Sequence, residues 1–188
     1  DNNTHKQESK ETKEPEFLYG ICIDSLDVKL DTIKKNQFLS NIMLKQNIDY
    51  NTITHIEKKH KNVFDIRKIK PGHKHTFLLK RDSLSTPLFW IYEIDKINYV
   101  VYSLTDSLSA WCGKKVVDIK TEHIEGVINT SLWNAIKDAN GDANLTMELS
   151  DIYSWTVDFF GIQPGDTFKV VYENRYIHDE CIGMGKIL

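Results

Sequence analysis

Seven histidines raise the question of a metal, and two of them are spaced for one. His73-Lys74-His75 is an H-x-H at the start of an expected strand, where residues i and i+2 share a face and could bind one ion together. A hydrolytic site needs a third ligand and a group to move protons. His55 and His60 are five apart and so fall off a single helical face, and His60 and Asp65 have the same spacing. No H-E-x-x-H occurs. The simpler reading puts His73 and His75 on an exposed turn.

Nucleophile chemistry finds no better support. G-x-S-x-G is absent, and no cysteine lies in a recognisable nucleophile context. Both phosphate cradles, G-x-x-x-x-G-K-[ST] and G-x-G-x-x-G, are missing, and no helix is expected after Gly183-Met184-Gly185. Asp158 and Asp166 could pair as carboxylates, but their settings favour turn and cap roles. Cys22, Cys112 and Cys181 form no C-x-x-C and read as small buried hydrophobes. By its own residues the chain is expected not to be an enzyme.

Binding is the remaining chemistry. Tryptophans can stack on sugar rings or fill cores. Trp90 falls in an apolar strand, and Trp133 and Trp155 fall at core-like helical positions. Trp111, in the loop-like stretch Ser109–Gly113, is the best surface candidate. Charge is strongly divided although the whole chain carries only -3. Residues 54–81 hold nine Lys/Arg and two acids, a balance of +7. Residues 121–180 hold three Lys/Arg and eleven acids, a balance of -8. Solvated surfaces explain both. The sharper reading is attraction between the halves, or a basic face for an anionic partner, with Lys68, Lys70, His73 and His75 at its centre. No apolar run approaches the ~18–20 residues of a membrane span.

The elements that must carry these residues follow from periodicity. Residues 1–16 hold no large apolar side chain and read as a flexible charged lead-in. A strand is expected within 17–34, a helix over Gln37–Gln46, a second over Tyr50–Lys61, and a strand over Thr76–Lys80. Leu88–Ile94 and Ile97–Leu104 read as a β-hairpin about Asp95-Lys96. A strand near Val116–Ile119, two more helices and a last strand over Phe168–Tyr172 complete the pattern.

That pattern repeats. At a shift of 93, eight identities align without a gap: Asn36, Leu39, Asn41, Asn47, Asp65, Ile69, Pro71 and Gly72 match Asn129, Leu132, Asn134, Asn140, Asp158, Ile162, Pro164 and Gly165. The fold class predicted is α+β, with two small β-α-α-β modules and an inserted hairpin. Three regions are expected: the lead-in 1–16, a first module 17–85, and 86–188 with the hairpin and the second module. Pro71, Gly72, Pro164, Gly165 and Asp166 are read as structural turn residues.

One resemblance adds to this. Gly126-Val-Ile-Asn-Thr-Ser-Leu-Trp-Asn-Ala135 is similar to the G-x-I-x-x-S-L-x-x-A segment that precedes the catalytic domain in lysostaphin-type (LytM-type) zinc endopeptidases. Residues 151–159, Gly165–Glu173 (G-D-x-F-x-V-x-Y-E) and Gly185-Lys186-Ile187-Leu188 resemble later parts of the same region. Over 17–85 the helices and the Lys70-Pro71-Gly72 turn resemble LysM-like or opacity-associated-protein-like modules. The family holds zinc with an H-x(3)-D pair and a later H-x-H. His73-x-His75 lies in the wrong module, so no catalytic or metal residue carries over.

The resemblance implies the non-catalytic front of a cell-envelope enzyme that cuts peptidoglycan, with zinc in a peptidase domain downstream. The expected partners are peptidoglycan and that domain, and the expected location is periplasmic or surface-attached. The chain opens at Asp1 without a start Met, so an upstream signal or anchor is an expectation too. A rival from another class is a helix-turn-helix over 37–61 that binds nucleic acid through 54–81. The acidic second half and the missing start Met count against it.

Overall fold

The computed structural model describes residues 14–105, 107–142, 144–155, 158 and 161–188. It is α+β and divides into two compact units, Asp1–Lys115 and Val116–Leu188.

The first unit opens with a small hairpin, β1 (Phe17–Leu18) and β2 (Ile21–Cys22). Its two-residue turn, Tyr19-Gly20, has both φ positive, as a tight hairpin of right-handed twist requires. Then come β3 (Leu26–Thr32), α1 (Leu39–Leu44), α2 (Tyr50–Lys59), a 3-10 turn (Ile66–Lys68) and β4 (Lys74–Lys80). β5 (Pro87–Glu93), β6 (Asn98–Ser103) and β7 (Ala110–Lys114) finish the unit. All five long strands form one antiparallel sheet in the order β3-β4-β5-β6-β7.

Both faces of that sheet are covered. Ile33, Leu39, Ile42, Met43, Ile53 and Ile56 pack from the helix side onto Phe77, Leu79, Trp90, Tyr92, Val100 and Tyr102. Leu18, Tyr19, Ile21 and Ile23 pack from the small hairpin onto Leu78, Ile91, Tyr99 and Val101. A strand buried on two faces has no polar side to alternate with, which is why 88–92 and 99–102 read as unbroken apolar runs. Each such side chain contributes about 1.5–3 kcal/mol on burial.

The second unit contains β8 (Asp118–Val127), α3 (Leu132–Asp138), α4 (Leu145–Tyr153), β9 (Thr167–Ile177) and β10 (Glu180–Ile187). Its sheet is antiparallel in the order β10-β9-β8. Ile136, Leu145 and Leu149 cover Val170 and Tyr172 on one face only. From Glu122 onward β8 accordingly alternates between half-buried and exposed residues.

Helix ends are set locally. Asp49 accepts the amide of Thr52 at 3.0 Å, and Ser131 accepts that of Asn134 at 3.2 Å. At the start of α1 the reverse bond forms, from the amide of Phe38 to Oδ1 of Asn41 at 2.9 Å. Just beyond α1 and α3 the chain passes through an asparagine in the left-handed conformation, Asn47 and Asn140, each at φ 57°. The next amide, of Ile48 or Gly141, reaches back to Met43 or Ile136.

Several expectations change. The hairpin expected to open the second region belongs to the first unit, because β5 pairs along β4 from His75↔Tyr92 to Leu79↔Pro87. The boundary therefore falls at Lys115/Val116 and not after residue 85. Trp111 lies in strand β7 and not in a loop. Trp133 and Trp155 are 46% and 96% exposed, so neither fills the core. All three cysteines are exposed and free. Phe159 and Phe160, expected to lead into the second turn, lie outside the described residues.

Candidate functional site

The first unit gathers four of the five candidate binding residues around one stretch, from the 3-10 turn into β4. Lys68 and Lys70 are exposed. The amide of Lys70 donates to the Tyr92 hydroxyl at 3.0 Å, which fixes the backbone while leaving the ammonium in water. His73 is half-buried. Its Nδ1 donates to the Glu93 carbonyl at 3.0 Å, and its ring lies parallel to that of Tyr92 at 5.8 Å. His75 is 3% exposed. Only His73 has any part in an exposed turn. His75 is a core residue, because β4 places it beneath α1 beside Phe77 and Trp90.

The two imidazoles do not converge on a common point of coordination. One Nδ1 is taken by a carbonyl and the other by the indole N–H of Trp90 at 3.2 Å. Among the described residues no three His, Cys, Asp or Glu side chains are grouped to hold a metal. The donor sets of the described residues therefore do not fit the zinc that the resemblance implies for a domain downstream. His55 and His60 come closer than their spacing suggested, with ring centroids 5.4 Å apart, because His60 is the C-cap of α2 and leaves the helical path.

Trp111 is 40% exposed on the edge strand β7. Its ring meets Phe89 edge-to-face at 6.3 Å. An indole held on one side by another aromatic and open on the other suits stacking on the apolar face of a sugar. Of the basic stretch, Arg67 pairs with Asp65, Lys80 with Asp82, and Arg81 with Asp27. The Arg67 guanidinium holds the Asp65 carboxyl well below the usual carboxylate range.

Two polar clusters went unnoticed in the sequence. In the first unit, Glu93 is buried and takes the Tyr19 hydroxyl at 2.6 Å and the Lys115 ammonium at 2.8 Å. Burial first, then the bond to Glu93, pushes the Tyr19 phenol well above its ordinary value. In the second unit, Glu122 accepts from Asn174 at 2.9 Å, Tyr172 at 3.3 Å and Tyr176 at 2.5 Å. The Glu122 bond pushes the Tyr176 phenol up to about 12. The signal for this cluster was the period-2 run 172-174-176, hidden because the last strand was expected to stop at Tyr172. Lastly, an open groove of about 840 Å³ runs between the helices and β9, lined by Leu132, Leu149, Tyr153 and Phe168 among others.

At the second turn, Gly165 has φ 101°, and Asp166 accepts the Gln163 amide at 2.9 Å across it. At the first, Gly72 has φ 86°. No helix of the described residues is long and apolar enough to cross a membrane.

No protein-family model matches the chain. Over 91 residues it is 31% identical to the peptidoglycan DD-endopeptidase ShyC of Vibrio cholerae serotype O1, a stretch covering 48% of this chain and 21% of that protein. In fold it is similar to a zinc-containing peptidase from Vibrio cholerae, with a TM-score of 0.54 and 16% identity over 85% of this chain and 49% of that one. It is also similar to Helicobacter pylori Csd3, with TM-scores of 0.51 and 0.52 in two crystal forms and 43% of that chain covered. At this identity the two structural likenesses concern fold alone. The chain spans about a fifth of the curated relative and about half of the structures it matches. The sequence match relates it to peptidoglycan peptidases.

Proposed function

We propose that this chain is a non-catalytic region of a LytM-type peptidoglycan endopeptidase of the cell envelope, and that it holds the enzyme at the wall. The observation that carries this reading is the 31% identity to the Vibrio endopeptidase over 91 residues. In this reading the units are LysM-like modules. The recurrence of the left-handed asparagines beyond the helices and of the Pro-Gly turns at a shift of 93 supports that relationship. Trp111 is the residue placed to stack on glycan, and Lys68, Lys70 and His73 form the polar face beside β4. The second role open to such a region is to cover the catalytic groove of the peptidase domain and release it on demand.

Co-sedimentation with purified insoluble peptidoglycan, at low and moderate salt, tests the reading. Wall-holding predicts pelleting at both. A chain that stays in solution at both sinks wall-holding and leaves the covering role, which predicts that the chain added in trans slows an isolated catalytic domain. Pelleting at low salt only marks diffuse attraction to the basic stretch, because exposed charges are screened beyond about 8 Å at physiological ionic strength.

A further inference from the structure

His75 and Trp90 lie side by side in the helix-facing core of the first unit, and both are buried. The indole Nε1–H donates to Nδ1 of His75 at 3.2 Å. An indole N–H can only donate, so Nδ1 carries a lone pair and the single proton of the neutral ring sits on Nε2. Nε2 has no hydrogen-bond partner among the described residues. The ring lines a cavity of about 20 Å³ shared with Lys29 and Asp31 of β3 and with Ile42 and Gln46 at α1. That volume admits one water molecule.

A second proton on this ring has only one place to go. It lands on Nδ1, where the Trp90 N–H already points, and two donors then face each other with no acceptor between them. The new cation is also buried beneath α1, where Ile42 offers it nothing. The charged and titratable groups facing the ring are few. From β3 come Asp31, its register partner, and Lys29. From the end of α1 comes Lys45. From β5 comes Tyr92, its other register partner, whose phenol is pushed up by burial and stays neutral. Asp31 is the one anion among them. It is exposed and shares its field with Lys34 and Lys45.

We propose that His75 and Trp90 form an acid-sensitive latch: protonation of His75 breaks the Trp90 bond and loosens α1 from the sheet, so the first unit is firm at neutral pH and relaxes in mild acid. This goes beyond wall-holding and does not depend on it. Burial holds the His75 imidazole below its ordinary value, with Asp31 pulling weakly the other way. A base depressed in the folded state takes up its proton more readily when unfolded. Its contribution is therefore complete above the unfolded value of about 6.5 and is lost as pH falls from there toward the folded value.

The test is nitrogen NMR of the labelled 188-residue chain from pH 7.5 to 5.0, with thermal unfolding at both ends. At pH 7.5 the proton of His75 is expected on Nε2. The Trp90 indole resonance and the Tm are both expected to move in acid. In H75N, which keeps an acceptor near Nδ1 but cannot titrate, the acid loss of Tm shrinks and the Trp90 resonance holds. In W90F the clashing donor is gone, and His75 titrates at a higher pH than in the wild type. A proton on Nδ1 at pH 7.5 overturns the latch. So does a wild-type His75 midpoint at or above 6.5, or an unchanged acid loss in H75N. If H75N does not fold, the tautomer and the W90F shift still decide.

Discussion

Gly72 and Gly165 stand 93 residues apart and make the same closure. Each lies in the left-handed region, at φ 86° and 101°, and each donates its amide to the residue just past a long strand, β3 in the first unit and β8 in the second. Gly72 N–H reaches Ile33 at 2.9 Å, and Gly165 N–H reaches Ile128 at 2.8 Å. Ile33 and Ile128 in turn donate to His73 and Asp166 at 2.8 and 2.7 Å. The chain thus leaves by a strand, crosses two helices, and is clipped back beside its point of departure before the next strand begins.

Substitution at these glycines isolates a conformational cost. A Cβ at either position meets nothing within 4 Å, so no contact is lost or forced. Gly72→Ala and Gly165→Ala should each lower stability by about 1–2 kcal/mol, the cost of holding an L-residue in the left-handed region. Urea unfolding checks it. A loss of less than a few tenths would show that the turn relaxes to negative φ and that the clip is not needed.

The buried ion pair of the first unit gives a second prediction. Lys115 and Glu93 are 22% and 11% exposed and 2.8 Å apart, and Tyr19 holds the other carboxylate oxygen. Lys115→Met leaves a buried carboxylate without its cation and should cost about 3 kcal/mol, the low end for a broken buried pair because Tyr19 remains. Lys115→Met combined with Glu93→Gln should recover part of that loss, since the uncompensated charge is gone. A double variant no better than the single one would show that Glu93 matters for shape and not for charge.

Tyr19 also makes the first unit sensitive to alkali. Its phenol is raised in the folded state, so the protonated form is favoured by folding. The associated stability is full below the unfolded value of about 10 and is lost as pH climbs above it. Chemical denaturation at pH 8 and pH 11 should show a fall in the wild type that is smaller in Tyr19→Phe. Equal falls in the two would place the alkaline sensitivity in other tyrosines.

How much of this was legible in the sequence depends on where the information lies. β4, β5 and β6 were readable because burial on both faces writes an apolar run. The helix pairs and Pro-Gly turns were readable because caps and breakers act within a few residues. β7 was missed because Ala-Trp-Cys-Gly-Lys has neither alternation nor length. β10 was missed because Gly183 and Gly185 suggest a turn, whereas the strand takes them at a register break opposite Arg175 and against Glu173. The hairpin was given to the wrong module because pairing with β4 is a long-range choice that local pattern does not carry. At the candidate site, the surface placing of Trp111 followed from reading Ser109–Gly113 as a loop, whereas its exposure comes from its place on the edge strand β7. The depth of His75 was not legible, since a histidine three residues past a Pro-Gly turn and next to Lys74 reads as exposed until α1 is set over it.

The Glu122 cluster can be tested by titration. Three side chains donate to one carboxylate, and the Tyr176 phenol is raised to about 12 chiefly by its bond to Glu122. In Glu122→Gln the charge and the strongest acceptor are removed together, so Tyr176 should titrate close to the ordinary tyrosine value of about 10. Ultraviolet absorbance at high pH should then show Tyr176 gained at the lower midpoint, and Tyr176→Phe should remove that change and leave only the shift of Tyr172, which burial and then Glu122 raise. An unchanged tyrosine titration in Glu122→Gln would mean that Tyr176 is held up by something other than this carboxylate.

The wall-holding role makes the most direct demand on Trp111. Its exposed face is the only part of the indole that a sugar ring could reach, since Phe89 meets the ring edge-to-face from within the sheet. Trp111→Ala should weaken binding to peptidoglycan about two- to tenfold, from the ~0.5–1.5 kcal/mol an aromatic contact contributes beyond area. Trp111→Phe should keep most of the binding, because a phenyl ring still offers a stacking face. Lys68→Ser with Lys70→Ser should instead reduce only the salt-dependent part. Binding unaffected by Trp111→Ala but lost with the two lysines would move the contact from β7 to the 3-10 turn, and would make charge, not stacking, the basis of wall attachment.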